Sequence, residues 1–294
     1  MKGALFIVGI GQKPDHLTLE AIAAIKGADV IAGHELFIEQ VKQFIPNGTR
    51  IISDAVLRAE SADVFRLMDL RAGALLKEML QGKNACILSG GDSGIFGVAG
   101  YCIEKILSKG DFGIHVIPGI SSFLSAAALA GSPLSEGFAL LSLCDEYIPE
   151  KIVFRRLELA AESDIPAVIF KPKLEAEGTR KMYPRAEYPR LYPPESVGKK
   201  RLLRLQKIFL ARRGKSTPVA IVNNIGGQSC FCSEDSAQVL FGKNSSVEII
   251  RLGQLHKKIN KISFFSTLII GNSRTVVIGN RMVNREWALR KKKK

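Results

Sequence analysis

The stretch that most constrains this chain is Asn84–Gly97, NACILSGGDSGIFG. Ala85-Cys86-Ile87-Leu88 is an unbroken apolar run, the pattern of a strand covered on both faces in a parallel sheet. It opens into Ser89-Gly90-Gly91-Asp92-Ser93-Gly94, and helical spacing follows over Val98–Leu107. Adjacent glycines let a backbone bend sharply and approach a ligand closely. Open α/β sheets gather ligands at the carboxyl ends of their strands. Taken alone, the loop is equally well a tight turn between strand and helix. The rest of the chain favours the ligand reading, because it supplies matching glycine turns at other strand ends.

Ala4–Gly9 reads as the first strand and opens into Gly9-Ile10-Gly11-Gln12-Lys13-Pro14-Asp15-His16. Pro14 occupies the third glycine position of G-x-G-x-x-G, so this is not the dinucleotide fingerprint, but it is again a glycine turn. A helix over Leu17–Lys26 follows, with Asp15 or Thr18 as its cap. Then come a strand at Asp29–Ala32, a helix at His34–Gln43, a strand at Arg50–Ile52, and a long helix at about Ser61–Leu80. With a strand at Gly113–Ile117, this alternation predicts an α/β domain over residues 1–117 with a largely parallel sheet.

Pro118-Gly119 reads as the passage to a second α/β domain, residues 118–285, with a mixed sheet. Its expected elements are a short helix at Ile120–Ala130, a strand at Phe138–Ser142, a helix at Pro149–Glu162 and a strand at Ala167–Phe170. A basic helix within Lys199–Lys215 follows, then strands at Pro218–Asn223 and Val247–Leu252 on either side of a turn at Gly226-Gly227. Phe264–Gly271 and Thr275–Gly279 are expected to form a hairpin across Asn272-Ser273-Arg274. Met182–Gly198, rich in proline and tyrosine, reads as an inserted excursion loop. Residues 286–294 form a basic tail.

Charge and cysteine usage narrow the setting. The net charge is +14, yet Lys199–Lys215 holds eight Lys and Arg with no acid and Arg290–Lys294 holds five more. In the inner segment Leu202, Leu205 and Phe209 share one helical face. Its cations therefore form a solvated outer face or a footprint for a polyanion. Cys86, Cys102, Cys144, Cys230 and Cys232 fit no disulfide framework, and Cys230-Phe231-Cys232 with four scattered histidines offers no metal-ligand set. Reduced thiols suit a cytoplasmic protein. Met1-Lys2-Gly3 runs directly into ALFIVG with no leader pattern. Phe112–Ser135 carries no charged side chain but is split by Pro118-Gly119, and its helix would be only ~16 Å long, about half a bilayer core. No membrane span is expected.

These residues resemble a known family. Gly9-Ile10-Gly11 with Leu17-Thr18-Leu19-Glu20-Ala21, Ala28-Asp29-Val30-Ile31, Ser89–Gly97, and Pro118-Gly119-Ile120-Ser121 are similar to the tetrapyrrole methylases, two-domain enzymes dependent on S-adenosylmethionine. The resemblance covers nearly the whole chain. Leu141–Asp145, Arg156–Asp164 and Phe264–Thr275 are similar to the branch that methylates C17 of precorrin-3B or its cobalt-containing counterpart with ring contraction. The sequence departs from the family's pattern at Gln12-Lys13-Pro14-Asp15, at Ser93 where the family commonly has proline, at Phe170–Leu174, and in the Met182–Gly198 insertion.

The resemblance implies S-adenosylmethionine in a cleft between the two domains, a tetrapyrrole polycarboxylate as substrate, a homodimer, and a place in corrin-ring biosynthesis. It puts cofactor contacts at Gly11, Gly90, Gly91, Asp92, Ser121, Ser122, Phe170, Ala220 and Thr267. Helix capping is the other reading of the two serines. Asp15 and His16 are the candidates for acid–base work, with capping the other role for Asp15. Lys13, Lys171, Lys173 and Arg274 are candidate partners for substrate carboxylates, or ordinary surface charges. Displacement of a sulfonium methyl needs alignment of nucleophile, methyl and sulfur rather than a metal or a strong base. Two other functions stay open: a relative of the same fold acting on another corrin intermediate or on RNA, and a binding protein without turnover. No basic surface interleaved with aromatics is present, so a nucleic-acid partner is not expected.

Overall fold

The apolar runs of the first hundred residues become a parallel sheet. The computed structural model describes residues 2–60, 64–135, 137–143, 148–172, 195–223, 225, 245–263 and 265–285. The chain divides into two compact units, Met1–Ser122 and Phe123–Lys294. In the first, β1 (Leu5–Gly9), α1 (Leu19–Lys26), β2 (Val30–Gly33), α2 (Glu35–Val41), β3 (Arg50–Ser53) and α3 (Asp54–Leu57) come in order. They are followed by α4 (Val64–Leu80), β4 (Ala85–Ser89), α5 (Ala99–Leu107) and β5 (Ile114–Ile117). The strands lie in the order β3-β2-β4-β1-β5 and every pairing is parallel. β4 is buried along its whole length, as its unbroken apolar pattern requires.

Register places β1 between the two strands whose loops matter most. Gly9 lies opposite Ser89, and Val8 opposite both Leu88 and Ile117. The carboxyl ends of β4, β1 and β5 are therefore neighbours, and so are their glycine loops. Each face of the sheet has its own core: Ile7, Ile87, Leu75 and Met79 on one, Val8, Ile25, Ile31 and Leu88 on the other. Cys86 and Cys102 are buried free thiols, pushed up by burial to about 12 and about 11, too high for thiolate chemistry. Two details differ from expectation. Thr18, not Asp15, caps α1, its Oγ1 accepting from Ala21 N at 3.0 Å. Pro14–His16 instead forms a separate turn of 3-10 helix.

In the second unit the elements are α6 (Ser122–Ala130, its first residue closing the first unit), β6 (Gly131–Ser132), β7 (Ala139–Ser142), α7 (Glu150–Glu162) and β8 (Ala167–Phe170). Next come α8 (Glu195–Leu210), β9 (Pro218–Asn223), β10 (Ser246–Arg251), a 3-10 helix (Leu252–Lys261), β11 (Thr267–Ile270), β12 (Thr275–Ile278) and β13 (Arg281–Asn284). The main sheet has the order β10-β9-β11-β8-β7. It is mixed, with β7–β8 parallel and the other pairs antiparallel. α7, α8 and the 3-10 helix cover one face through Phe154, Leu157, Leu202, Leu205, Phe209, Leu252 and Leu255. α6 covers the other through Phe123 and Ala126. The basic segment is thus an amphipathic helix with a buried apolar face and exposed Lys199, Lys200, Arg204 and Lys207.

The hairpin expected across Asn272-Ser273-Arg274 does not form. β11 sits between β9 and β8, while β12 pairs with β13, which pairs in parallel with β6 in a separate three-stranded sheet. The reason is local. Asn272 Oδ1 accepts from Arg274 N at 3.1 Å and from Thr275 Oγ1 at 2.9 Å. The turn is also tied sideways, because Asp164 Oδ1 accepts from Ser273 N at 3.0 Å and Asp164 O from Asn272 Nδ2 at 3.0 Å. These bonds pull the chain toward the α7–β8 connection instead of back along β11. The hairpin turn is Gly279-Asn280, with Gly279 at φ +61. The turn at Gly226-Gly227, most of the 182–198 excursion, Cys144, Cys230, Cys232 and the 286–294 tail lie outside the described residues. Among the described residues no helix is long and apolar enough to cross a membrane.

Arg213, just past α8, is buried and donates to three carbonyls: Gly271 at 2.6 Å, Ala160 at 2.8 Å and Ile165 at 2.7 Å. Burial pulls its pKa down to about 10, so the guanidinium remains charged at neutral pH. It joins the ends of α7 and β11. Arg213→Met is expected to destabilise the protein by about 3 kcal/mol, since charge-assisted bonds are lost and buried carbonyls are left unpaired. Urea unfolding measures this, and a loss under about 0.5 kcal/mol would show that the three bonds add nothing net.

Candidate functional site

Three glycine loops are laced together at the carboxyl ends of β4, β1 and β5. Gly11 N donates to Gly91 O at 3.0 Å and Gly91 N to Gly11 O at 2.8 Å, a reciprocal backbone pair between the first and second loops. Asp92 spans the second and third: its Oδ2 accepts from Gly119 N at 3.0 Å, and its Oδ1 accepts from Gly94 N at 2.8 Å and Ile95 N at 3.0 Å. Gln12 closes the ring by donating from Nε2 to Ile120 O at 2.7 Å. Ser93 is fully buried beneath, with Oγ 3.3 Å from the carbonyls of both Ile7 and Ile117.

Glycine is required here by contact. A Cβ on Gly119 would stand 2.2 Å from Gly91 O, and one on Gly9 would stand 2.6 Å from Gly119 N. Gly11 and Gly91 take φ +67 and +70, and a Cβ on Gly11 would meet His16 Cβ at 2.2 Å. Gly90 is backed by the Phe37 ring, 2.8 Å from where its Cβ would be. Ser121 Cα and Ser122 N lie 3.7 and 3.8 Å from the corresponding point on Gly91. Of the residues assigned to the cofactor, Gly11, Gly90, Gly91, Asp92, Ser121 and Ser122 are therefore brought together. The carboxylate of Asp92 is committed to three backbone amides, so its work is to fix the loops.

The first loop also holds Lys13, Asp15 and His16. Asp15 is 81% exposed and pairs with Lys13 at 3.3 Å. Such an exposed pair is worth about 0–1 kcal/mol. His16 is half-buried, its Nδ1 buried without a hydrogen-bond partner. Burial lowers its pKa, and the Lys13 ammonium lowers it further against the opposing pull of Asp15. The imidazole is therefore neutral at pH 7.

In the second unit, Phe170, Ala220 and Thr267 cluster on the sheet face that α6 covers. Phe170 ends β8 and Thr267 begins the antiparallel β11, with Leu268 opposite Ile169. Ala220 is two residues from Val222, which lies opposite Thr267. Lys171 follows directly, at φ +46. Arg274 is at the other end of β11, exposed, in the turn tied to Asp164, so it is not grouped with Lys171. Lys173 lies outside the described residues.

Among the described residues, ligand atoms of His34, Glu35 and Asp54 lie within 4.8 Å of one another. Both carboxylates face arginines: Asp54 accepts from Arg71 at Nε and Nη2, and Glu35 from Arg58. His34 Nδ1 accepts from Leu36 N at 3.2 Å and caps α2. The cluster is a partly buried ion-pair network around a helix start.

The sequence profile described as Tetrapyrrole (Corrin/Porphyrin) Methylases matches residues 4–229. The chain belongs to that family. Methyl transfer from S-adenosylmethionine is the chemistry of the family. Cobalt-factor III methyltransferase of Priestia megaterium is 27% identical over 289 residues, covering 96% of this chain and 45% of the relative. The probable cobalt-factor III C(17)-methyltransferase of Salmonella typhimurium is 28% identical, covering 76% of this chain and 80% of the relative. The chain spans about half the length of the first two curated relatives it matches, 45% and 52%. The methyltransferase CobJ shares the fold with a TM-score of 0.69 at 20% identity, covering 96% of this chain and 99% of that one. So does uroporphyrin-III C-methyltransferase from Thermus thermophilus, complexed with S-adenyl homocysteine, at 0.58 and 21%, covering 92% and 97%.

Sequence reasoning did not assign Gln12, Ser93 or Gly119 to the candidate site of this tetrapyrrole methylase family member. Two of them stand where the chain departs from the family pattern. Gln12 adds a side-chain tie to the third loop, and Ser93 puts a hydroxyl under the second.

Two outcomes follow from the cradle and its flank. Gly119→Ala forces a methyl into backbone and is expected to cost more than about 2 kcal/mol, read by urea unfolding; wild-type stability would refute the close approach. For His34, burial is the leading cause of a pKa lowered from 6.5. The unfolded chain therefore binds more protons just below that value, and this contribution to stability, full above it, is lost as pH falls through the lowered folded value. His34→Asn keeps a capping side chain. Its melting temperature should fall less than wild type between about pH 7 and about pH 5, with His16 and the carboxylates held below their usual range contributing to the remaining slope. An unchanged slope would clear His34.

Proposed function

We propose that this chain transfers a methyl group from S-adenosylmethionine to C17 of precorrin-3B or its cobalt-containing counterpart, with contraction of the macrocycle. The observation that carries the proposal is the laced cradle, in which glycines at three adjacent strand ends leave only backbone at Gly11, Gly91 and Gly119. The names of the curated relatives, three of which specify C17, support the choice of carbon.

The residues present fit the donor. The cradle offers backbone groups at Gly90, Ser121 and Ser122 beside the mutually paired Gly11 and Gly91, suited to an amino-acid end that is both cation and anion. When bound, S-adenosylmethionine supplies an electrophilic methyl on a sulfonium. Asp92 and Gln12 hold the loops in place before any ligand arrives, so little ordering cost remains at binding. The resemblance also assigns Phe170, Ala220 and Thr267 to the donor; within their own unit they form an apolar patch with one hydroxyl.

Between Asp15 and His16, the histidine suits proton transfer: it is neutral at pH 7 and its buried Nδ1 has no hydrogen-bond partner. Lys13 and Lys171 are the candidate cations for ring carboxylates. A homodimer rests on the resemblance alone, and a cytoplasmic location on the buried, reduced thiols.

The deciding test is mass spectrometry of cobalt-factor III, and separately of precorrin-3B, after incubation with the protein and the methyl donor. One added methyl with a changed absorption spectrum is expected on one of them. No methyl on either, with the donor demonstrably bound, would remove C17 transfer. Asp92→Ala should weaken S-adenosylhomocysteine binding by about tenfold or more through loss of the fixed loop. Wild-type affinity in calorimetry would deny Asp92 that role.

A further inference from the structure

Methyl transfer leaves the basic helix of the second unit unused. α8 packs against the main sheet through Leu202, Leu205 and Phe209. Its opposite side carries Lys199, Leu203 and Lys207 at four-residue spacing, with Lys200 and Arg204 beside them, all exposed. The 3-10 helix Leu252–Lys261 packs next to it, and Gln206 joins the two by donating from Nε2 to Leu252 O at 2.7 Å. That helix adds the exposed Lys257. No acid occurs between Lys199 and Lys215 or between Leu252 and Lys261.

The two kinds of cation on α8 are used differently. Arg201 is buried, with Nε 3.9 Å from a Glu150 carboxylate oxygen. The guanidinium of Arg204 lies 3.8 Å from the centre of the Phe154 ring and 3.9 Å from the same oxygen. Both arginines thus fasten α8 to α7. The ammonium groups of Lys199, Lys200, Lys207 and Lys257 have neither ion pair nor hydrogen bond among the described residues. Helix stability does not call for them, since like charges three and four residues apart repel. Exposed aliphatic side chains are interleaved with the cations: Leu203 at 39% on α8, and Ile152 at 39% and Leu159 at 49% on α7. The aromatic rings of these three helices, Phe154 and Phe209, are both buried.

We propose that the outer face of α8 and its neighbouring 3-10 helix is a docking surface for an anionic lipid bilayer. Unpaired lysines are point charges on flexible stems, suited to the diffuse negative charge of a membrane surface. Aliphatic side chains among them suit the boundary between headgroups and acyl chains, where lysine stems lie along apolar surface and their heads stay in water. A nucleic acid calls for exposed rings and forked arginines, and on α8 the arginines are tied to α7 and the rings are buried. The apolar stripe of α8 belongs to the core, so the helix does not insert. The contact is held by charge and is reversible.

The test uses the full chain and vesicles of phosphatidylcholine, either pure or with about 30% phosphatidylserine. Sedimentation with vesicles is measured for wild type, for the triple variant Lys199→Gln, Lys200→Gln and Lys207→Gln, and for the same three lysines changed to arginine. One control removes three exposed charges from the first unit, Lys26→Gln, Lys77→Gln and Lys109→Gln. A second control changes Arg290–Lys294 to glutamine. Wild type is expected to bind the anionic vesicles and not the neutral ones, and to lose about tenfold or more in affinity between about 0.05 and about 0.5 M salt. The glutamine triple should melt as wild type does and bind about tenfold more weakly, while the arginine triple and both controls stay within about threefold of wild type. An equal loss in either control would overturn the surface, by showing that net charge or the tail accounts for binding. So would a wild type that ignores anionic vesicles, or one that holds an RNA of about 20 nucleotides at the salt where vesicles are released.

Discussion

The first unit depends on the approach of three backbones that only glycine allows. The Gly11–Gly91 pair is an antiparallel bridge just beyond the last regular residues of β1 and β4, and Gly119 packs where any side chain would strike a carbonyl. Strand order makes this possible. Because β1 lies between β4 and β5, the loops that follow them leave the sheet side by side. Asp92 and Gln12 then convert proximity into a fixed arrangement by binding backbone of the third loop, and Ser93 adds bonds to the carbonyls of β1 and β5. A carboxylate accepting three amides is a strong organiser, since charge-assisted bonds exceed neutral ones in strength.

The second unit uses its most recognisable motif for architecture. The stretch Gly271–Thr275 carried much of the resemblance to the C17 branch, and its side chains are bound to Asp164 and to one another. Asp164 itself ends another of the resembling stretches. Two segments distant in the sequence are thus two halves of one joint, and Arg213 fastens the same region from below. A motif can therefore mark a branch by its packing as well as by its chemistry.

The strands and most helices were legible because burial leaves periodic traces: β4 reads as continuous apolar residues and α8 as an amphipathic stripe. The glycine loops were legible too, since paired glycines after apolar strands have few other uses. Gln12 and Ser93 carried no comparable signal, because their roles depend on backbone brought together by strand order. The β11–β12 hairpin was misread for the opposite reason. Closeness in sequence suggested pairing, whereas Asp164, far away in the chain, redirected the turn. Arg274, a candidate because it stands near a strand end, lies at the opposite end of β11 from Lys171.

The three-stranded sheet of the second unit bears on how the chain reaches its native state. β6 is made early, yet its partner β13 is among the last strands of the described chain, with Gly131 opposite Met282. Such a pairing closes a very long loop, and the entropy of that closure must be met before the contact rewards it. During synthesis the first unit can finish while the ribosome is still working. The strand after α6 waits with its edge open until the β12–β13 hairpin emerges. Chaperone demand and susceptibility to truncation should therefore fall on the second unit, at its final hairpin.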